Sequence, residues 1–177
     1  MPKIIENLRE KLMEEARRQI AESGYAKTTV RSIASSCGVG TGTVYNYFSS
    51  KDMLIASFLA EDWLQCVMDM KAFSTEDTEI FLKNVHGVLT RYIQRHSRLF
   101  FDRDAAASFA AASPERHAQL RSQIADVIAP VCCRCGRSGT YFREFIAEAM
   151  LSWTSAGKSF EELWSVLKLL FDNKEWV

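Results

Sequence analysis

An all-α fold is predicted by three observations. Apolar residues recur every three or four positions along most of the chain, capping residues punctuate those runs at helix-length intervals, and no alternating strand pattern with hairpin turns occurs. At 177 residues there is room for one large domain or two small ones.

The elements follow in order. Ile5, Leu8, Leu12, Ala16 and Ile20 share one face, with Glu6, Arg9, Glu10, Arg17 and Arg18 on the others. This predicts an amphipathic helix over residues 3–22, ended by Gly24. Thr28 offers an N-cap hydroxyl to a short helix holding Val30, Ile33 and Ala34, which stops near Cys37-Gly38. A second short helix covers Thr41–Phe48, and Ser50 caps a longer one from Lys51 to about Met70. Ser74-Thr75-Glu76-Asp77 opens a helix carrying Phe81, Val85, Val88, Leu89 and Tyr92. The Ala- and Phe-rich stretch 97–112 reads as one short helix. Ser113-Pro114 starts the next, which is expected to finish near Pro130 because proline cannot donate to the helix ladder. Residues 131–139, with three Cys and two Gly, read as a loop. Two last helices follow, about 141–156 and from Ser159 through Phe171.

Composition narrows the function. Apolar residues make up 47% and charged ones 25%, the mix of a globular protein. Lys and Arg number 22 against 22 Asp and Glu, so any anion must be held by a local arrangement and not by bulk charge. No apolar run of about 18 residues occurs, no membrane partner is expected, and the N-terminus does not read as a signal peptide. Five cysteines, three of them clustered, are poor material for a disulfide framework and point to a reducing, cytoplasmic setting.

Residues 28–48 hold two short helices joined by Cys37-Gly38-Val39, the arrangement of a helix-turn-helix. The second helix carries Thr41, Thr43, Tyr45, Asn46 and Tyr47, too polar and too aromatic on one side for a core element. Val44 and Phe48, four apart, face inward towards Ile33 and Ala34. Such a helix fits a major groove, with its polar first turns at base edges. Gly40 and Gly42 let the backbone approach a duplex closely, and free N–H groups at a helix start favour a phosphate oxygen.

The run from Gly24-Tyr25 through Thr28-Thr29-Val30-Arg31-Ser32-Ile33-Ala34, Cys37-Gly38-Val39-Gly40-Thr41-Gly42-Thr43-Val44-Tyr45-Asn46-Tyr47-Phe48 and Ser49-Ser50-Lys51-Asp52-Met53-Leu54 resembles the DNA-binding domain of TetR-family transcriptional regulators. The resemblance implies an N-terminal three-helix DNA-binding domain over residues 1–60, motif about 29–48, and a C-terminal helical ligand-binding and dimerisation domain over 61–177. It implies a sequence-specific regulator, a repressor in the family's majority habit, whose partners are a double-stranded operator, a second copy of the chain and a small-molecule effector. Thr43 matches a hydroxyl on phosphate or base, Tyr45 and Tyr47 match aromatics at the backbone and at thymine methyls, and Asn46 matches a variable position that reads bases. Lys51 matches a lysine on phosphate, and Thr28, Thr29 and Arg31 lie on or beside the helix that crosses the backbone. The sequence departs from the pattern twice. Gly40 replaces the usual Ser at the recognition-helix N-cap, and Thr41 replaces a commonly basic residue; each change removes a phosphate contact.

For the rest of the chain the resemblance implies dimerisation through the last two helices, with Phe145, Met150, Trp153, Leu163, Trp164 and Leu167 as candidates. It also implies an effector pocket in the middle helices. Trp63, His86, Tyr92, Phe100, Phe101 and Phe109, with Phe81, are the candidate lining and would suit a hydrophobic or aromatic molecule. The same aromatics at helical spacing also read as core, and His86 reads as a hydrogen-bonded core histidine. Two other functions stay open: a dimeric helical module that has lost DNA binding, and a redox sensor using Cys132, Cys133 and Cys135 beside Arg134 and Arg137. Three cysteines fall short of the four ligands of a zinc site, so neither metal nor cofactor is expected. An enzyme is not expected, because no Gly-rich phosphate loop, His-Glu-x-x-His or Gly-x-Ser-x-Gly occurs.

Overall fold

The computed structural model describes residues 6–110 and 113–172 and is all-helical, with ten helices and no strand among the described residues. They are α1 Leu8–Ser23, α2 Val30–Ser36, α3 Thr41–Tyr45, α4 Lys51–Lys71, α5 Thr78–Arg95, α6 Ser97–Phe100, α7 Arg103–Phe109, α8 Ser113–Arg134, α9 Thr140–Ser155 and α10 Phe160–Asp172. Two compact units divide them. The first comprises residues 1–63 with 96–111, the second 64–95 with 112–177.

In the first unit α1 packs on α2 and α2 on α3. The stripe anticipated on α1 is the one it buries: Leu8, Leu12, Ala16 and Ile20, joined by Met13. Ile33, Ala34, Val44, Phe48, Leu54, Ile55 and Phe58 complete the core. Segment 96–110 is tied in by polar as well as apolar contacts. Arg17 grips Asp62 through both carboxylate oxygens, and His96 Nε2 lies 3.1 Å from Asp62 Oδ2 with its ring stacked on Phe58. In the second unit α8 and α9 form the most extensive pair, and α5, α9 and α10 pack on one another. Phe81, Leu82, Val85, Val88 and Leu89 on α5 meet a core supplied by Ile124, Ile128, Ile146, Ala147, Met150, Leu163 and Leu167.

Four local expectations are corrected. The first helix begins at Leu8; residues 3–5 of the expected span lie outside the described residues. The cap of α2 is Thr29, one residue later than expected. Its hydroxyl accepts from Ser32 N–H (3.0 Å) while Ser32 Oγ accepts from Thr29 N–H (3.1 Å), a reciprocal box that satisfies two otherwise orphaned donors. Stretch 97–110 is two helices because Asp102 accepts from the N–H groups of Asp104 and Ala105, starting a new helix where one was expected to continue; residues 111–112 lie outside the described residues.

The fourth correction is at Pro130, which does not stop α8. The helix runs on to Arg134 because Val131 and Cys132 are fully buried, and their burial offsets the missing hydrogen bond at an exposed proline. It ends instead at Gly136 (φ 74°), whose N–H donates to Cys133 O while Arg137 N–H donates to Cys132 O, a left-handed cap that a side chain would strain. The expected loop 131–139 therefore shrinks to its second half. Elsewhere Ser50 caps α4 at Met53 N–H and Asp77 caps α5 at Ile80 N–H; Ser159 and Glu162 close a capping box on α10. No helix among the described residues is long and apolar enough to cross a membrane.

Since Pro130 sits in a helix that persists in spite of it, Pro130→Ala is expected to raise stability by about 1–2 kcal/mol, the restored bond outweighing the freer unfolded chain. Urea unfolding monitored by tryptophan fluorescence checks the sign.

Candidate nucleic-acid interface

The helix-turn-helix is built from α2, α3 and the turn between them. After Ser36 the chain must reverse in three residues. Gly38 takes φ 69°, its N–H donates to Ser35 O, and Val39 N–H donates to Ala34 O, closing the end of α2 and aiming Gly40 at a new helix start. α3 is five residues long, shorter than the eight expected, although Tyr47 and Phe48 N–H groups still bond Val44 O. Its two sides differ sharply. Val44 (0% exposed) and Phe48 (4%) are core, whereas Tyr45 is 54% and Tyr47 48% exposed. Asn46, Thr41 and Gly40 are exposed as well, and Thr43 is half-buried. The two tyrosine rings and the amide between them are thus free to meet a partner.

Beside it a shallow concavity of about 570 Å³ is lined by Thr29, Arg31, Ser32, Ala34, Ser35, Val39 and Thr41. The exposed Arg31 is its one cation. Thr29 and Thr41 also border it, so three of the residues anticipated at DNA line the one concavity. Thr28 stands apart. It is fully buried and its hydroxyl donates to Gly24 O, so it fixes the end of α1 and is not presented to a partner. Lys51 is half-buried, with Nζ donating to Tyr25 O at 3.0 Å and lying 3.5 Å above that ring.

The residues anticipated for a ligand are dispersed between the units. Trp63 is buried, Phe109 half-buried with its ring edge 6.5 Å from Tyr25, and Phe100 (40%) and Phe101 (74%) are exposed, all in the first unit. His86 and Tyr92 belong to the second, where His86 Nε2 meets Lys158 O at 3.0 Å and its ring packs on Phe160. Of the residues anticipated at a dimer interface, Met150, Leu163 and Leu167 are buried within their own unit, and Trp164 stacks on Phe160. Phe145 and Trp153 are open to a partner, as are Tyr141, Val166 and Leu169, which helical spacing alone does not single out.

The cysteine cluster lies at the C-terminal end of α8, where helix carbonyls oppose negative charge. Burial, then the neighbouring thiols of Cys135 and Cys133, pushes Cys132 up to about 12, the reverse of an activated thiolate. Arg134 donates to Thr78 Oγ1 and Arg137 lies over Phe142, so both cations have other occupations. No group of three His, Cys, Asp or Glu among the described residues could hold a metal. Native alkylation at pH 8 should label exposed Cys133 and leave Cys132 unmodified until the chain unfolds; mass spectrometry of the digested protein reads this directly.

Comparison with known proteins finds likenesses that include this helix-turn-helix segment. Residues 12–58 match the family model described as bacterial regulatory proteins, tetR family. The HTH-type transcriptional repressor KstR2 of Mycolicibacterium smegmatis is 31% identical over 93 residues, 49% of this chain and 45% of that protein, so under half of the relative's length is matched. Among solved structures, the fatty acid degradation regulator FadR of Bacillus halodurans superposes with a TM-score of 0.62 at 19% identity, covering 98% of this chain and 99% of that one. Thermus thermophilus FadR, a TetR-family repressor solved in complex with lauroyl-CoA, gives 0.61 at 18% identity over 96% and 95%. These two likenesses concern the fold. Residues 12–58 are thus similar to the tetR family of bacterial regulatory proteins, and the chain as a whole shares its fold with the two FadR regulators.

Proposed function

We propose that the chain is a sequence-specific DNA-binding transcriptional regulator, a repressor that acts as a homodimer and leaves its operator when a small hydrophobic or aromatic effector binds. The observation that carries the reading is the two-sidedness of α3: Val44 and Phe48 are buried while Thr41, Tyr45, Asn46 and Tyr47 are turned to solvent. In a major groove Asn46 is suited to the donor and acceptor pair of an adenine edge, and the tyrosine rings to thymine methyls or sugar. Arg31 and Lys51 supply phosphate contacts, and the concavity bordered by Thr29 and Thr41 leaves room for the sugar-phosphate chain. Residues 1–52 carry a net charge of +2, a small bias of the right sign.

The homodimer is supported by the apolar side chains that α9 and α10 leave in water, Phe145 and Trp153 on one and Val166 and Leu169 on the other. The effector is supported by the resemblance to TetR-family regulators and by the aromatic content of residues 63–109, which suits a hydrophobic or aromatic molecule. In this reading residues 1–60 serve DNA and 61–177 serve effector and partner, with residues 96–110 of the latter belonging to the first compact unit.

Mobility shifts with fragments of the protein's own genome against random-sequence duplex test the reading. A fragment should compete at least tenfold better than random DNA. Tyr47→Ala should weaken it about tenfold, and Lys51→Ala should weaken all duplexes alike while lowering the slope of log affinity on log salt by about one per protomer. Equal competition by every duplex would leave only a dimeric helical module.

A further inference from the structure

Tyr25, in the turn between α1 and α2, is 6% exposed and joins three elements of the first unit. Its phenol donates to Asp52 Oδ1 (2.6 Å) in the first turn of α4 and accepts from Ser108 Oγ of α7 (2.9 Å). Phe109, next along α7, meets the ring edge-on. The other side of the same residue holds Lys51: the ammonium donates to the Tyr25 carbonyl and lies over the ring face. Burial draws the Lys51 pKa down, opposed by Asp52, Asp102 and Asp104, and burial with Asp52 pushes the Tyr25 phenol up, keeping it a proton donor.

A lysine on an open helix start explores many rotamers and gives up that freedom when it meets a phosphate. Here one N–H is spent on a carbonyl and the charge rests on a ring, so the stem is already ordered, and a further N–H remains for an anion. We infer that Tyr25 and Ser108 are positioning residues for the contact between Lys51 and a DNA phosphate, so that α7 contributes to DNA affinity without touching the duplex. The inference rests on the DNA-binding reading above. Ser108 is exposed and Tyr25→Phe keeps both ring and carbonyl, so each contribution can be removed by a change of one oxygen atom.

The test uses the full chain and the duplex that the wild-type protein binds tightest. Tyr25→Phe and Ser108→Ala should each weaken binding roughly three- to tenfold, the scale of one hydrogen bond. Each should move the salt slope towards that of Lys51→Ala and raise the mobility of the Lys51 ammonium in nitrogen-15 relaxation. Added to Lys51→Ala, neither should weaken binding further. Wild-type affinity and slope in both variants would overturn the inference. So would a loss with the slope unchanged, as lowered stability alone would produce, or a loss additive with Lys51→Ala. If the wild-type chain prefers no duplex, the DNA-binding reading fails and takes this inference with it; if it does and the variants match it, only the inference fails.

Discussion

A helix of five residues does not hold itself together, because its nucleation cost is spread over too few bonds. α3 exists because Val44 and Phe48 are anchored in the core beneath it, beside the fully buried Ile33. That anchoring decides everything presented outward. With position 44 inside, Tyr45 and Asn46, the next two residues, are turned to solvent, and the turn at Gly38 sets where the helix begins. The outward surface is the remainder of a packing solution.

The same economy governs the charges. The chain is neutral overall, so a duplex would be held by few cations, each placed with some care. Arg31 borders the concavity beside α3, and Lys51 is stationed on Tyr25 at the start of α4. In the proposed complex Gly40 and Thr41, where the resemblance leads one to expect a hydroxyl and a base, would leave more of the contact to side chains at base edges.

Much of this was legible in the residues. The spacing of Val44 and Phe48, the glycine at position 38 and the unusual tyrosines point to a two-sided helix because these are local constraints that act within a few residues of one another. What escaped was settled at longer range or by competition between neighbours. Thr28 and Thr29 both offer a hydroxyl, and only the partner at Ser32 against the carbonyl at Gly24 decides which one caps. Pro130 looked like a stop because the burial of Val131 and Cys132 depends on the packing of α8 against α9. Asp102 was passed over as a cap inside an Ala-rich run. Tyr25 stood in the motif without a role, and no local pattern announces Ser108, whose partner is 83 residues away.

The claim at the centre is that α3 enters duplex grooves in symmetric pairs. Enrichment of bound duplexes from a random pool measures it most directly. The expected product is a sequence with two-fold symmetry whose half-sites lie about 34 Å apart or a multiple of that, with Asn46→Ala erasing preference at one base pair of each half. A pool that stays random, or an enriched sequence indifferent to every substitution on α3, would contradict it.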